Sequence, residues 1–166
     1  CGVITHAGAT MTNTTIAESA AAAGSGALSY NIAADPDGEM DGMIFTQGAA
    51  AHSAIQFGTA VNVDVTLRDI DFTGFGTTDD VNGAVFKFLA TSGAIDLSLV
   101  GCTVGGAAAT SSNISIDDTA GIAVTLVIDP VSQAFNVQDN AGANIVGARV
   151  LCETAATIAS GEIFEA

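Results

Sequence analysis

The chain has 166 residues, which suits one domain with a hydrophobic core or one domain plus the start of another. It carries 18 acidic and three basic residues, for a formal net charge of −15. Nucleic acids and anionic membranes both attract clustered Lys and Arg, so this charge argues against either partner. No apolar run approaches the ~18 residues of a membrane-spanning helix, so we expect no membrane insertion.

Residues 1–42 are mostly polar and small, and we predict that they form a cap or linker. The chain begins with Cys1 and Gly2, without an initiating Met or a signal peptide, which predicts a processed product or a piece of a longer polypeptide. A Cys-Gly start also suits a lipid-modified mature lipoprotein. A truncated chain explains the same start equally well.

The stretch "ADPDGEMDG", residues 34–42, places carboxylates on alternate residues: Asp35, Asp37, Glu39 and Asp41. On an extended segment such carboxylates share one side, where a hard cation such as Ca²⁺ could bind them. A calcium loop that begins at Asp37 lacks its bidentate Glu, because the twelfth position is Gly48. The four residues are the candidate calcium ligands, and the alternative is a solvated acidic loop that protects an exposed β surface.

Residues 43–130 consist of short runs that alternate apolar with polar residues, the period of a strand with one buried face. In "VDVTLRDIDF", Val63, Val65 and Leu67 share one side. The phase slips after Asp69, which predicts a corner or bulge inside the run.

These runs also repeat at an offset of 30 residues. Ile55 aligns with Val85 and Val65 with Ile95, while a third copy places Val124 opposite Ile95. Repeated units of strand and turn indicate stacked coils, because each unit buries its apolar face only against its neighbours. We therefore predict an all-β fold built as a parallel β-helix. A β-sandwich is the alternative, although hairpin signals before residue 135 are few.

Other residues in this region are predicted to be structural. Cys102 and Cys152 read as small buried hydrophobes, and Lys87 as a surface residue. The pairs Asp79-Asp80 and Asp117-Asp118 are predicted to be turn residues that bond their own backbone, with a stacked cation ladder as the alternative.

An enzyme is the less favoured interpretation. Asp64 could face the same surface as Asp96, as the paired carboxylates of a β-helical glycosidase or lyase would. However, the sequence has no Trp and only Tyr30 as a platform for sugars. His6 and His52 lie far apart and lack Ser or Cys partners at catalytic spacing. We therefore predict no catalytic residues, and no cofactor apart from calcium at the acidic loop.

Residues 131–166 change character. The stretch "QAFNVQDNAGANIVGARVLCETA" places two alternating runs around a turn rich in Asn and Gly, which is a hairpin signature. We predict that this segment begins a small β-sandwich. It is expected to continue beyond Ala166, because the chain ends in strand-like sequence.

Three motifs carry a resemblance to a known family: Thr73-Gly74-Phe75-Gly76, Asp129-Pro130-Val131, and Ile145 to Val150 in "IVGARV". Over residues 43–156 the sequence resembles virion proteins of tailed bacteriophages that contain a right-handed β-helical stalk. The resemblance implies a structural or host-facing virion protein: a fibre, appendage or head-surface component, usually trimeric. This sequence has fewer aromatic residues at its coil corners than the family pattern.

From these observations we expect a non-enzymatic structural protein of a virion. Its expected partners are further copies of itself, with a trimer favoured, other virion proteins, and a host surface glycan or protein. A bacterial surface adhesin or lipoprotein filament subunit is one alternative, for which Cys1 is the only direct support. A β-helical polysaccharide depolymerase is the other.

Overall fold

A computed structural model describes residues 4–19, 24–48, 51–75 and 83–129. The chain divides into two compact units, Cys1–Pro130 and Val131–Ala166, and all described residues belong to the first. In these residues the backbone forms strands and turns without any α-helix. The predicted β-sandwich segment at residues 131–166 lies outside the described part.

The described residues form thirteen short strands. In chain order they are β1 (Ile4–His6), β2 (Thr15–Ser19), β3 (Gly26–Tyr30), β4 (Ile44–Gln47), β5 (Ser53–Phe57), β6 (Val65–Arg68), β7 (Asp71–Thr73), β8 (Phe86–Phe88), β9 (Ala94–Val100), β10 (Thr103–Val104), β11 (Ala107–Ala108), β12 (Ile116–Asp117) and β13 (Ala123–Ile128).

Three sheets are built from these strands. Sheet A has the order β1-β3-β5-β8-β12, sheet B has β11-β10-β7-β4-β2, and sheet C has β13-β9-β6. All neighbours pair in parallel, except that β10 and β11 form an antiparallel hairpin. The described part of the chain is therefore a β-solenoid of stacked coils, which confirms the predicted parallel stacked-coil fold.

Each coil is named here from its strand in sheet A. Coil 1 contains β1 and β2, coil 2 contains β3 and β4, coil 3 contains β5 to β7, coil 4 contains β8 to β11, and coil 5 contains β12 and β13. Strands of coils 1 and 2 belong to the same sheets as later strands. The stack thus includes residues before 43, where the sequence predicted a cap or linker.

The core lies between the three sheets and is filled by side chains from alternate strand positions. Val65 and Leu67 of β6 are buried, and so are the aromatic rings of sheets A and B. Phe57 stacks on Phe88 with ring centroids 4.7 Å apart, and Phe45 stacks on Phe72 at 5.7 Å. Because in-register strands bring equivalent positions together, aromatic residues in successive coils contact each other directly.

The register agrees with the predicted echo between coils 4 and 5 and differs from it between coils 3 and 4. Val124 pairs with Ile95 and Leu126 with Leu97, as predicted. Ile55, however, pairs with Phe86 rather than Val85, and Val65 pairs with Leu97 rather than Ile95. The predicted vertical alignment of Val65, Ile95 and Val124 is therefore wrong for Val65. The reason is that the coils differ in length at their corners, so no single offset fits them all.

One corner recurs along the stack, directly before sheet B. Asn13, Gly42, Asp69 and Gly101 all have positive φ, between 53° and 68°. The pairing of the strands that follow places these four at the same position in coils 1 to 4. Asp129, with φ of 44°, directly follows β13 and lies beside these four corner residues. Asn, Asp and Gly are the residues that tolerate the left-handed conformation best, and the phase slip predicted at Asp69 is this corner.

Candidate functional site: the acidic loop

The acidic stretch lies in the loop between β3 and β4, beside β6, which is the edge strand of sheet C. Coils 3, 4 and 5 place a strand at this position, and coil 2 places the loop there. The loop is not extended as predicted. The Glu39 amide donates to the Pro36 carbonyl at 2.8 Å and the Met43 amide to the Met40 carbonyl at 3.4 Å. These two turns leave Asp35, Asp37 and Asp41 near Arg68 and direct Glu39 away from them.

The Asp35 carboxylate bonds β6 on the side where a neighbouring strand would otherwise pair with it. Its Oδ1 accepts a hydrogen bond from the Thr66 amide at 2.7 Å, and its Oδ2 accepts one from the Thr66 hydroxyl at 2.9 Å. Further along, the Gly42 amide donates to the Arg68 carbonyl at 3.1 Å. The loop therefore satisfies backbone groups of an edge strand, which would otherwise be open to another chain.

Asp37 forms the best-defined ion pair of the loop. Arg68 donates from Nε to Oδ1 at 2.6 Å and from its terminal nitrogen to Oδ2 at 3.2 Å. The hydrogen bonds from Arg68 hold the pKa of Asp37 below its usual range. Both side chains are about two-fifths exposed, so solvent screens much of their attraction. The bidentate geometry orients the loop more than it stabilises the fold.

Glu39 points the other way, towards coil 1. Its Oε2 lies 3.8 Å from Nε2 of His6, whose side chain is fully buried. The His6 ring packs on Tyr30 with centroids 5.2 Å apart, and the Tyr30 hydroxyl donates to the Ala34 carbonyl at 3.0 Å. Burial, followed by the negative charges of Glu39 and Asp35, raises the pKa of Tyr30.

The structure does not bring the four candidate calcium ligands together. Asp35 and Asp37 bond residues of coil 3, Glu39 faces coil 1, and the Asp41 carbonyl accepts from the Asn13 amide at 2.8 Å. In the part of the chain that the structure describes, no three His, Cys, Asp or Glu side chains are grouped so as to hold a metal ion. Calcium binding at the loop stays a prediction.

The carboxylates of Asp64 and Asp71 also bond a neighbouring coil, whereas the Asp96 carboxylate is exposed. Asp64 and Asp96 are adjacent, because Asp64 Oδ1 accepts from the Asp96 amide at 2.9 Å. In sheet B, Asp71 accepts from the hydroxyls of Thr73 at 2.7 Å and Thr103, and from the Gly106 amide at 3.0 Å. Burial opposes ionisation of Asp71, but these three hydrogen bonds outweigh it and lower the pKa.

Asp117 and Lys87 form a buried pair that the sequence did not predict. Asp117 accepts from the Thr119 amide at 3.1 Å and hydroxyl at 2.6 Å, as predicted for a turn residue. Its Oδ2 also lies 3.4 Å from Lys87 Nζ, and the two side chains are 2% and 15% exposed. Lys87 lies on the face of β8 opposite the buried Phe86 and Phe88, as predicted, but it is half-buried there because β8 and β12 bring it against Asp117. The sequence did contain a signal for this pair, because Lys87 and Asp117 have opposite charges and lie 30 residues apart, the offset of the repeat.

The remaining predicted residues are distributed as follows. His6 and His52 are both buried, and the His52 ring packs edge-on against Phe75. Cys102 is a free, buried thiol, as predicted, and burial raises its pKa. The residues that lie outside the described ranges are Cys1, Asp79, Asp80, Arg149 and Cys152.

Comparison of the chain with protein-family models, with curated proteins and with solved structures finds no match. Across the described ranges, no helical segment has the length and apolarity to span a membrane. The arrangement of the described side chains is therefore the basis for a functional proposal.

Proposed function

We propose that this chain is a non-enzymatic structural protein of a virion, in which the β-solenoid serves as a stiff, acidic rod. The observation that carries the proposal is that Asp carboxylates of one coil are hydrogen-bonded to the backbone of another. In four places an Asp side chain accepts a hydrogen bond from a backbone amide of another coil. The pairs are Asp35 with Thr66, Asp64 with Asp96, Asp71 with Gly106, and Asp129 with Gly101.

This use of carboxylates favours a structural role over a catalytic one. A general acid, base or nucleophile needs a lone pair or proton directed at a substrate. Asp35, Asp37 and Asp71 direct theirs at protein donors instead, and the shift for Asp37 and Asp71 is towards a lower pKa, away from the raised value that a general acid needs. Their bonds connect residues about 30 positions apart and so resist separation of the coils.

Assembly of the rod requires a surface on which acidic copies can approach each other. The outer face of sheet B suits this role. It carries Ile44, which is 43% exposed, beside Thr15, Thr46 and Thr73. Its one described carboxylate is Asp71, whose charge is offset by three hydrogen bonds. We propose that the trimer uses this face, because it combines an exposed apolar side chain with a single, hydrogen-bonded carboxylate.

The test uses two samples from the phage or bacterium whose genome encodes the chain: the phage particles and the bacterial envelope fraction. Particles are purified on two successive density gradients and analysed by quantitative mass spectrometry, with the major capsid protein as the reference for copy number. We expect the chain to be present at a copy number that is a multiple of three. We also expect the chain to resist protease. A chain that is absent from the particles, or found only in the bacterial envelope fraction, would overturn the virion assignment.

A further inference from the structure

Strand β13 forms one edge of sheet C. All six of its residues pair in parallel with β9, and among the residues that the structure describes no strand lies on its other side. The opposite edge of the sheet is closed, because the acidic loop bonds the Thr66 amide and the Arg68 carbonyl of β6. An unpaired edge is a template on which another chain can add a strand. Strand β13 is therefore the edge of sheet C that is available to another chain.

The backbone hydrogen bonds show which groups of β13 are open. The amides of Ala123 and Asp129 both donate to carbonyls of coil 4, at 3.0 Å and 2.7 Å. Alternate residues of a strand direct their backbone groups to the same side, so the odd-numbered residues of β13 face β9. The amides and carbonyls that face the open side are those of Val124, Leu126 and Ile128.

The side chains of the same three residues are incompletely covered. Val124, Leu126 and Ile128 point into the core and are only partly buried, whereas the residues that pair with them in β9 are at most 3% exposed. In a stack of coils each layer is covered by the next, and at β13 the described layers end. A further strand beside β13 would bury the three apolar side chains and would also bond the three open amides.

The charge around this edge indicates which kind of strand fits. Residues 88–129 contain four Asp and neither Lys nor Arg. Asp96 is exposed and pairs with Thr125, so it lies one strand in from the edge on the outer face, and the exposed Asp129 directly follows β13. A second copy of the chain would bring a further net charge of −15 to this edge. A strand that carries Lys or Arg would be attracted instead.

We propose that β13 is a docking edge for an extended segment of a partner protein, which adds to sheet C as a further strand. The segment alternates apolar residues, which cover the core, with Lys or Arg on the outer face. Backbone hydrogen bonds to the edge supply affinity, and the alternating side chains supply selectivity. This edge belongs to a different sheet from the proposed trimer face, so the proposal does not depend on that face or on the virion assignment.

Peptide binding to the full chain tests the proposal. Three synthetic peptides, blocked at both ends, serve as probes: one alternates Val with Lys, one alternates Val with Glu, and one holds the Val and Lys residues in two separate blocks. We expect the first to bind about tenfold more tightly than either of the others. Equal binding of the two Lys peptides would show charge attraction without strand addition, and equal binding of the Lys and Glu alternating peptides would remove the charge selection. Either result would overturn the proposal.

Amide hydrogen exchange locates the bound strand. In the chain alone, the amides of Val124, Leu126 and Ile128 should exchange faster than those of Thr125 and Val127, which face β9. The alternating Lys peptide should slow the first three and leave the other two unchanged. Slow exchange of all five amides without peptide would show that the edge is already covered, within the chain or by a second copy, and would overturn the proposal.

Thr125→Lys is the matched charge variant, because Thr125 is exposed on the outer face and the change leaves the core untouched. It should reduce the advantage of the Lys peptide over the Glu peptide by about threefold, with thermal unfolding unchanged. An unchanged preference would show that the charge at this edge does not choose the partner.

Discussion

The carboxylate of Asp129 accepts a hydrogen bond from the backbone amide of Gly101 at 2.7 Å, across the boundary between coils 5 and 4. From the other side, Asp69 Oδ1 lies where a Cβ of Gly101 would stand. Gly42 is approached by the Asn13 side-chain oxygen in the same way. A short polar side chain in one coil thus fills the space left by a glycine in the next, at a corner where all of them have positive φ.

This relationship predicts that Gly101→Ala is destabilising. The new methyl group would collide with Asp69, and the residue would keep a backbone conformation that disfavours side chains. We expect a loss of about 2 kcal/mol in the free energy of unfolding, measured by urea denaturation. Gly105→Ala is the matched control, because its φ is also positive at 58° but no atom lies within 4 Å of its added Cβ. Equal losses in both variants would show that the packing against Asp69 is irrelevant.

Stability is expected to fall in acid through three carboxylates. The pKa values of Asp37, Asp71 and Asp117 are lowered in the folded chain. A carboxyl group with a depressed folded pKa contributes stability above its unfolded pKa of about 4, and this contribution is lost as pH falls through the folded value. Unfolding followed between pH 7 and pH 2 should therefore show a decrease that begins near pH 4.

Asp71→Asn isolates one part of this decrease. It should cost about 1–2 kcal/mol at pH 7, because the hydroxyls of Thr73 and Thr103 lose a charged acceptor. The difference from the parent should shrink as the pH falls through the lowered pKa of Asp71, because the parent then also loses its charged acceptor. Asp96→Asn is the control, since its exposed carboxylate accepts no hydrogen bond from another described residue. A pH-independent cost for Asp71→Asn would refute the electrostatic explanation.

The buried pair of Asp117 and Lys87 predicts a strong asymmetry between single and double variants. Lys87→Met leaves the Asp117 carboxylate buried beside an apolar group, which should cost about 3 kcal/mol. Lys87→Met combined with Asp117→Asn should recover part of that loss, because no uncompensated charge remains. Thermal and urea unfolding of the parent, both single variants and the double variant measures the effect. If the loss in the free energy of unfolding of the double variant equals the sum of the losses of the two single variants, the two residues are not coupled.

Ile44 tests the proposed trimer face. Ile44→Asp adds a charge at an exposed position of sheet B and should convert a trimer to monomers at micromolar concentration, as measured by mass photometry. Thr125→Asp adds the same charge on the outer face of sheet C, where Thr125 is exposed and pairs with Asp96. It should leave the trimer intact. A parent chain that is monomeric, or a trimer unaffected by Ile44→Asp, would remove this face from consideration while leaving the virion assignment to the particle analysis.

The fold could be predicted from the sequence because alternation and repetition act together. Val124 and Leu126 lie opposite Ile95 and Leu97 with the predicted register, because the alternation of β13 matches that of β9 once a corner one residue shorter is allowed for in coil 5. The register of Val65 could not be predicted, because corner lengths differ from coil to coil and leave no signal in the alternation. Periodicity specifies which face is buried, and loop geometry decides the shift by two residues.

The partners of the acidic loop were less predictable. The spacing of Asp35, Asp37 and Glu39 suggested a common side, but the turns at Pro36 and Met40 direct Glu39 away from the other two. Their partners Thr66, Arg68 and His6 come from two other coils, at distances along the chain that no local pattern encodes. From the sequence, carboxylates on alternate residues could serve to bind a cation or to accept hydrogen bonds from protein donors. Only the fold shows which donors lie beside them.

Through-space amide contacts between neighbouring strands test most directly whether chain segments about thirty residues apart stack in parallel. In the isotope-labelled full chain, nuclear Overhauser spectra should connect Val124 with Ile95, Leu126 with Leu97, and Ile128 with Leu99, the order rising together along both strands. They should also connect Val65 with Leu97 rather than with Ile95. Contacts whose order runs in opposite directions along β9 and β13 would contradict the solenoid and the structural role built on it.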